Sequence, residues 1–252
     1  MKKRYFIYFS YLGTAYHGWQ IQPNGISVQE VLSQAMSTVL RTKIELTGAG
    51  RTDAGVHAKL MVAHFEVEAE STIEPVFLSA KLNSFLPNDI SIFRIVEVKP
   101  DAHARFDAIS RKYEYHITYA KDVFKNGLAA KMNGGLNMET MNIAANSLME
   151  YSDFTSFSKL HSDAKTNICK IHIANWSENQ NGLVFTIEAD RFLRNMVRAI
   201  VGTLLEVGRN KMKPEDFKAV IEAKNRCAAG TSVPAHGLYL VDIQYPQDIF
   251  VR

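Results

Sequence analysis

Cysteine is nearly absent. Cys169 and Cys227 are the two in 252 residues, too few for a disulfide framework or a cysteine-rich zinc site, and both are expected to be buried free thiols. Long apolar runs are absent too. Nothing approaches the roughly 18 to 20 consecutive apolar residues of a membrane span, and the opening MKKRYFIYFSYLG continues into alternating polar sequence where a signal peptide would carry a small-residue cleavage site. A cytoplasmic protein without membrane attachment is expected. A large excess of one charge sign is also lacking: the net charge is +3 and the isoelectric point about 8.7, mild beside the values above about 9 usual for nucleic-acid-binding domains. Composition therefore permits an RNA partner without demanding one. The cations are clustered, however, in Lys2, Lys3 and Arg4, in Arg111 and Lys112, in Arg191, Arg194 and Arg198, and in Lys211 and Lys213. Such clusters either track phosphates or form solvated faces.

Forty-six per cent of the residues are hydrophobic, enough for one large domain or two small ones. Residues 4 to 11 carry apolar side chains in both alternating sets, the pattern of a central strand. Ser27 and Glu30 form a capping box, and Val28, Val31, Leu32, Ala35, Met36, Val39 and Leu40 follow at helical spacing. A short strand near Lys43 to Leu46, a strand from Met61 to Val67, a helix near Glu74 to Phe85 and a strand from Ile90 to Val98 complete the first half. The pattern lapses near Pro100, placing a boundary at about residue 105, with domains at 1–104 and 105–252.

The second half opens with a strand from Lys112 to Tyr119, then a Gly- and Lys-rich loop near 121 to 136 and a helix capped by Asn137. A hairpin over Ile168 to Ala189 turns at Asn179-Gln180-Asn181-Gly182, its Asn-Gly pair supplying the positive φ. A regular helix through Leu193, Met196, Val197, Ile200, Val201, Leu204 and Leu205 is expected to end with Gly208 as its left-handed residue, with another starting near Pro214. Mixed strands and helices in both halves imply two α+β domains.

The segment TGAGRTDAGVHA, residues 47 to 58, concentrates three glycines around one cation, Arg51, and one anion, Asp53. It does not fit G-x-G-x-x-G, and Val56 and His57 stand where a P-loop needs Lys and Ser or Thr. A metal hydrolase using Asp53, His57 and His64 lacks a rigid frame for its ligands and a specified ligand set; no metal or cofactor is expected, and both histidines are expected to be structural. For an isolated aspartate beside glycine, the ordinary role is capping a turn.

The run GAGRTDAGVHA at 48–58 resembles the signature of the tRNA pseudouridine synthase A family, whose nucleophilic aspartate follows an Arg-Thr pair. The resemblance extends through YLGTAYHGWQIQPNGISVQEVL at 11–32, ARFDAISRKYEYHI at 104–117, DFTSFS at 153–158, RFLRNMVRAIVGTLLEVG at 191–208 and AHGLYL at 235–240. It departs at NICKI, 167–171, where an arginine is expected in place of Lys170. The resemblance implies a cofactor-free isomerase acting on uridines in the anticodon stem and loop of tRNA. It also implies two ferredoxin-like (RRM-like) halves with antiparallel sheets covered by helices, a cleft between them for the RNA, and a homodimer.

Residue by residue, the resemblance implies Asp53 as nucleophile with Arg51 beside it, Tyr113 against the target base, Arg198 as ion-pair partner of the aspartate and Leu238 lining the pocket. Arg191 and Arg194 lie seven and four residues before Arg198 and are expected to share its helical stripe, facing phosphate. The rival reading is a non-catalytic RNA-binding module, which would keep the cations and exposed aromatics but has no need of Asp53 in its Arg-Thr-Asp-Ala-Gly setting.

Overall fold

The computed structural model describes residues 2–70, 73–132, 134–159, 165–180 and 182–251. The chain divides into two compact units, Met1–Ile109 with Leu240–Arg252, and Ser110–Tyr239. The return of the last residues to the first unit is a feature that a single boundary at about residue 105 does not contain. Both units mix strands and helices, the α+β class expected.

In the first unit the strands are β1 (Lys2–Tyr11), β2 (Thr47–Gly48), β3 (His57–Glu68) and β4 (Ile90–Val98), with helices α1 (Val28–Leu40) and α2 (Pro75–Phe85). The strand order is β4-β1-β3, with the final strand of the chain, numbered β9 (Leu238–Gln244), beside β3. β1 runs antiparallel to both neighbours, so that Ile7 faces Ala63 on one side and Ile95 on the other. Tyr5 through Phe9 are all buried, as two apolar sets on a central strand require.

The Ser27 hydroxyl accepts the Glu30 N–H at 3.2 Å and caps α1. Val28, Leu32, Ala35 and Met36 are buried along one face of that helix. The strand expected near Lys43 to Leu46 is absent, and the ladder starts at Thr47, inside the glycine-rich segment, opposite His64. The reason is local. Ser37 Oγ accepts the Ile44 N–H at 2.9 Å and Gln29 Nε2 donates to the Leu46 carbonyl at 2.7 Å, so side chains of α1 satisfy the backbone a strand partner would have used.

The second unit holds β5 (Ser110–Thr118), β6 (Ala130–Lys131), α3 (Met138–Ser147), β7 (Ile171–Asn179), β8 (Gly182–Ala189), α4 (Met196–Gly208) and α5 (Pro214–Glu222). Its strands run β5-β8-β7, antiparallel, with β6 parallel to the end of β5. Asn137 caps α3 by accepting the Thr140 N–H at 3.1 Å. The hairpin turn expected at Asn181-Gly182 lies partly outside the described residues.

Two expectations fail around α4. Its first residue is Met196, preceded by Asn195 at φ 67°, so Arg191 and Arg194 stand outside the helix and share no stripe with Arg198. Gly208 is its last residue, and the left-handed conformation falls on Asn210 at φ 57°. Gly208 is needed for close packing: a Cβ there would overlap the Met141 sulfur of α3. The cysteines also divide. Cys169 is buried, with its thiol pushed up to about 12 chiefly by burial, whereas Cys227 is exposed in the loop after α5.

Candidate active site

Asp53 lies on the loop that joins β2 to β3, half-buried and two residues before Gly55, whose φ of 78° lets the chain turn. Val56 N–H closes that turn on the Asp53 carbonyl at 3.1 Å. Arg51 is exposed on the same loop.

The loop is set into a second one, formed by residues 11 to 19. Trp19 N–H donates to the Thr52 carbonyl at 3.2 Å, and Gly55 N–H donates to the Tyr16 carbonyl at 3.4 Å. The Tyr11 and Thr52 hydroxyls share a buried hydrogen bond of 2.8 Å. Gly13 N–H donates to Nδ1 of His57 at 2.9 Å. The two backbones approach so closely that a Cβ at Gly13 would overlap the Val56 carbonyl oxygen. Gly18, at φ 86°, is barred to other residues twice over, by its backbone conformation and by the Thr52 carbonyl against it.

The Trp19 ring packs on Gly48 and lies 5.5 Å from the Phe9 ring, which anchors the far end of the cradle. Tyr16 donates its hydroxyl to the Asp89 carboxylate at 2.6 Å, and its phenol is held well above the ordinary tyrosine range, first by burial and then by that carboxylate. Single-sequence reading missed this cradle; the glycines at 13 and 18 were its visible signal.

His57 is fully buried, and its Nδ1 serves Gly13. His64 accepts the Ala104 N–H on Nδ1 at 3.1 Å, and burial pushes it down to about 4. A ring nitrogen of each histidine is thus engaged by backbone, a structural use.

In the second unit Tyr113 sits on β5 opposite Ile187, half-buried, its ring meeting Phe192 edge-on at 5.1 Å. Arg198 projects from the first turn of α4 and donates Nε to the Val233 carbonyl at 2.8 Å, while Val233 N–H donates to the Arg198 carbonyl at 3.2 Å. Tyr115, two residues along β5 from Tyr113, donates its hydroxyl to the adjoining Pro234 carbonyl at 3.0 Å. Its phenol is raised by burial and partly offset by the nearby Arg198 charge. Leu238 is buried at the start of β9, next to Gly237, where a Cβ would press on the Tyr115 ring. Arg198, Tyr115 and the 233–238 segment are therefore packed together, and Tyr113 shares the Tyr115 face of β5.

The remaining cations differ in use. Arg191 donates to the carbonyls of Thr166 and Ile168 at 3.3 and 3.5 Å, bracing that segment, whereas Arg194 is exposed. At the N-terminus Lys2 and Arg4 pair with Glu66, and Lys3 with Glu97, so that cluster is largely neutralised. Lys112 lies 3.0 Å from Glu188.

A family model described as tRNA pseudouridine synthase matches residues 7–107 and 144–246, which takes in the Asp53 loop, its cradle, and the Arg198 helix. The chain is 59% identical over 249 residues to the tRNA pseudouridine synthase A of Bacteroides fragilis, covering 98% of both chains. It is 54% identical to that of Porphyromonas gingivalis, over 98% of this chain and 99% of the relative. With that of Bacillus subtilis it shares 38% identity, over 94% of this chain and 96% of the relative. On a family match spanning both units and relatives aligned over nearly their whole length, the chain belongs to the tRNA pseudouridine synthase family.

Proposed function

We propose that this protein isomerises uridine to pseudouridine in the anticodon stem and loop of tRNA, with Asp53 as the nucleophile. The observation that carries the assignment is the cradle around Asp53, whose flanking residues Thr52, Gly55, Val56 and His57 are each fixed by residues 11 to 19. An ordinary turn aspartate needs no such support. A nucleophile does, because rate falls steeply when the attacking atom is misplaced.

The reaction breaks the bond from ribose C1′ to N1 of uracil and makes one from C1′ to C5. The C5 proton leaves and N1 gains a proton, so nothing is consumed. A carboxylate can hold the ribose or the ring while the base turns, and then leave. Tyr113 stacks on the base once it is out of the helix, offsetting part of the few kcal/mol that extrusion costs. Arg198 supplies the positive charge that pairs with the aspartate, with Arg51 beside the nucleophile and Leu238 closing the apolar side of the pocket. Arg194 meets backbone phosphate. Arg191, committed to the carbonyls of Thr166 and Ile168, shapes that surface and contacts phosphate from there. A homodimer in the cytoplasm completes the reading, and sedimentation of the free protein tests its oligomeric part.

Release of tritium from tRNA labelled at uridine C5 is the direct assay. The protein should release label without added metal, and Asp53→Asn should abolish release while binding tRNA within a few fold of the parent, since the amide keeps the shape and loses the nucleophile. Turnover by Asp53→Asn above about a tenth of the parent rate would remove Asp53 from the role.

A further inference from the structure

Resting on the assignment of Asp53 above, we infer that Tyr11 is a positioning residue for the reaction, acting on the Asp53 carboxylate through the hydroxyl of Thr52. Tyr11 is the last residue of β1 and is 3% exposed; Thr52, next to Asp53 in the chain, is 9% exposed. Their hydroxyls meet at 2.8 Å in a place closed to water. Two hydroxyls buried against each other form a specific link, because either one left alone must find a new partner or remain unsatisfied.

The geometry makes Thr52 the point of control. Its carbonyl is fixed by Trp19 N–H and walled in by Gly18, and its side chain is fixed by Tyr11. Backbone and side chain of the residue before Asp53 are therefore both held, and the residue after the turn is held by the Val56 contact with Gly13. Among these restraints the Tyr11 link alone joins two side chains, so it can be removed without disturbing a backbone bond. β1 makes a stable base for it. Its register to β3 shifts between Phe9 and Tyr11, so that Tyr11 pairs with Ala58, one residue beyond His57. That irregularity aims the end of the strand at the loop.

The test uses the full-length protein with Tyr11→Phe, Thr52→Val and the double variant, and Tyr5→Phe as control. Tyr5 lies on the same strand and gives its hydroxyl to Glu97 at 3.3 Å, away from the loop. Each variant is first shown to melt cooperatively. Tyr11→Phe and Thr52→Val should each lower kcat for tRNA by about ten- to a hundredfold, with KM within about twofold, as for a nucleophile displaced by a fraction of an ångström. The double variant should be no slower than the worse single one, because both remove the same link. Tyr5→Phe should match the parent.

A kcat for Tyr11→Phe equal to that of Tyr5→Phe overturns the inference. So does a loss shared equally between kcat and KM, or a double variant whose losses multiply. Failure of the underlying assignment gives a different result: Asp53→Asn would then remain active, whatever Tyr11→Phe does. Should Tyr11→Phe fail to melt cooperatively, Thr52→Val alone decides by the same split of kcat against KM.

Discussion

Arg198 presents its guanidinium in a way a lysine could not reproduce. Nε is spent on the Val233 carbonyl at 2.8 Å, which orients the plane of the group. An ammonium could hold that carbonyl as a point charge but would fix no such plane. Arg198→Lys should therefore fold normally yet lose about tenfold or more in single-turnover rate, with tRNA affinity changed by less than about threefold. Arg194→Ala should do the reverse: the rate at saturating tRNA is preserved, while binding weakens and the salt dependence flattens by roughly 0.7 to 0.9 in slope for the phosphate lost. If both variants altered only affinity and its salt slope, Arg198 would be one more phosphate contact and Asp53 would need a different counter-charge.

The elements were legible where local chemistry dictates them. β4 runs over Ile90–Val98 as expected, and α1 and α3 begin at the caps Ser27 and Asn137. What could not be read depends on partners distant in the chain. Arg191, Arg194 and Arg198 have helical spacing, but the backbone becomes left-handed at Asn195, whose side chain is held by Ser232 Oγ at 2.7 Å, and the helix starts only after it. Gly208 looked like a helix terminator because its neighbour across the packing interface, Met141, is far away in sequence. The site divides likewise. Asp53 and its glycines stand in one contiguous run, whereas the residues that grip them, 11 to 19, lie some forty positions earlier.

The sign of a glycine substitution makes this measurable: helix propensity alone would have Gly208→Ala stabilise by up to about 1 kcal/mol. Overlap with Met141 should dominate and destabilise by about 1 to 3 kcal/mol. Urea unfolding decides between them. Ser27→Ala, which removes the α1 cap, should cost about 1 kcal/mol by the same measurement.

For the molecule as a whole, acid is the condition to watch. His64 is buried, accepts the Ala104 N–H, and is pushed down to about 4, whereas the same residue in the unfolded chain titrates near 6.5. Burial comes first among the causes, followed by the neighbouring His103 and Arg4; Glu66 and Asp107 act in the opposite sense. Because the unfolded state takes up the proton first, the stability this neutral histidine contributes is complete above about pH 6.5 and declines as the pH falls from there towards 4. His103, lowered chiefly by burial, adds in the same direction. The loss attributable to His64 between pH 7 and pH 5 should be about 1 to 2 kcal/mol, and His64→Gln should flatten that part of the profile. A urea midpoint indifferent to pH over this interval would contradict the assignment.

The return of Leu240–Arg252 to the first unit has a consequence in time. Tyr245 gives its hydroxyl to the Ala104 carbonyl at 2.6 Å, Ile249 accepts the Lys99 N–H at 2.8 Å, and Asp248 sits 3.3 Å from Lys99. A ribosome makes these residues only after all of Ser110–Tyr239. The unit that begins the chain must therefore wait, incomplete, while the whole of Ser110–Tyr239 is synthesised and free to fold ahead of it. The loop bearing Asp53 belongs to the unit that waits, so a chain released after Tyr239 should carry a folded second unit and no isomerase activity.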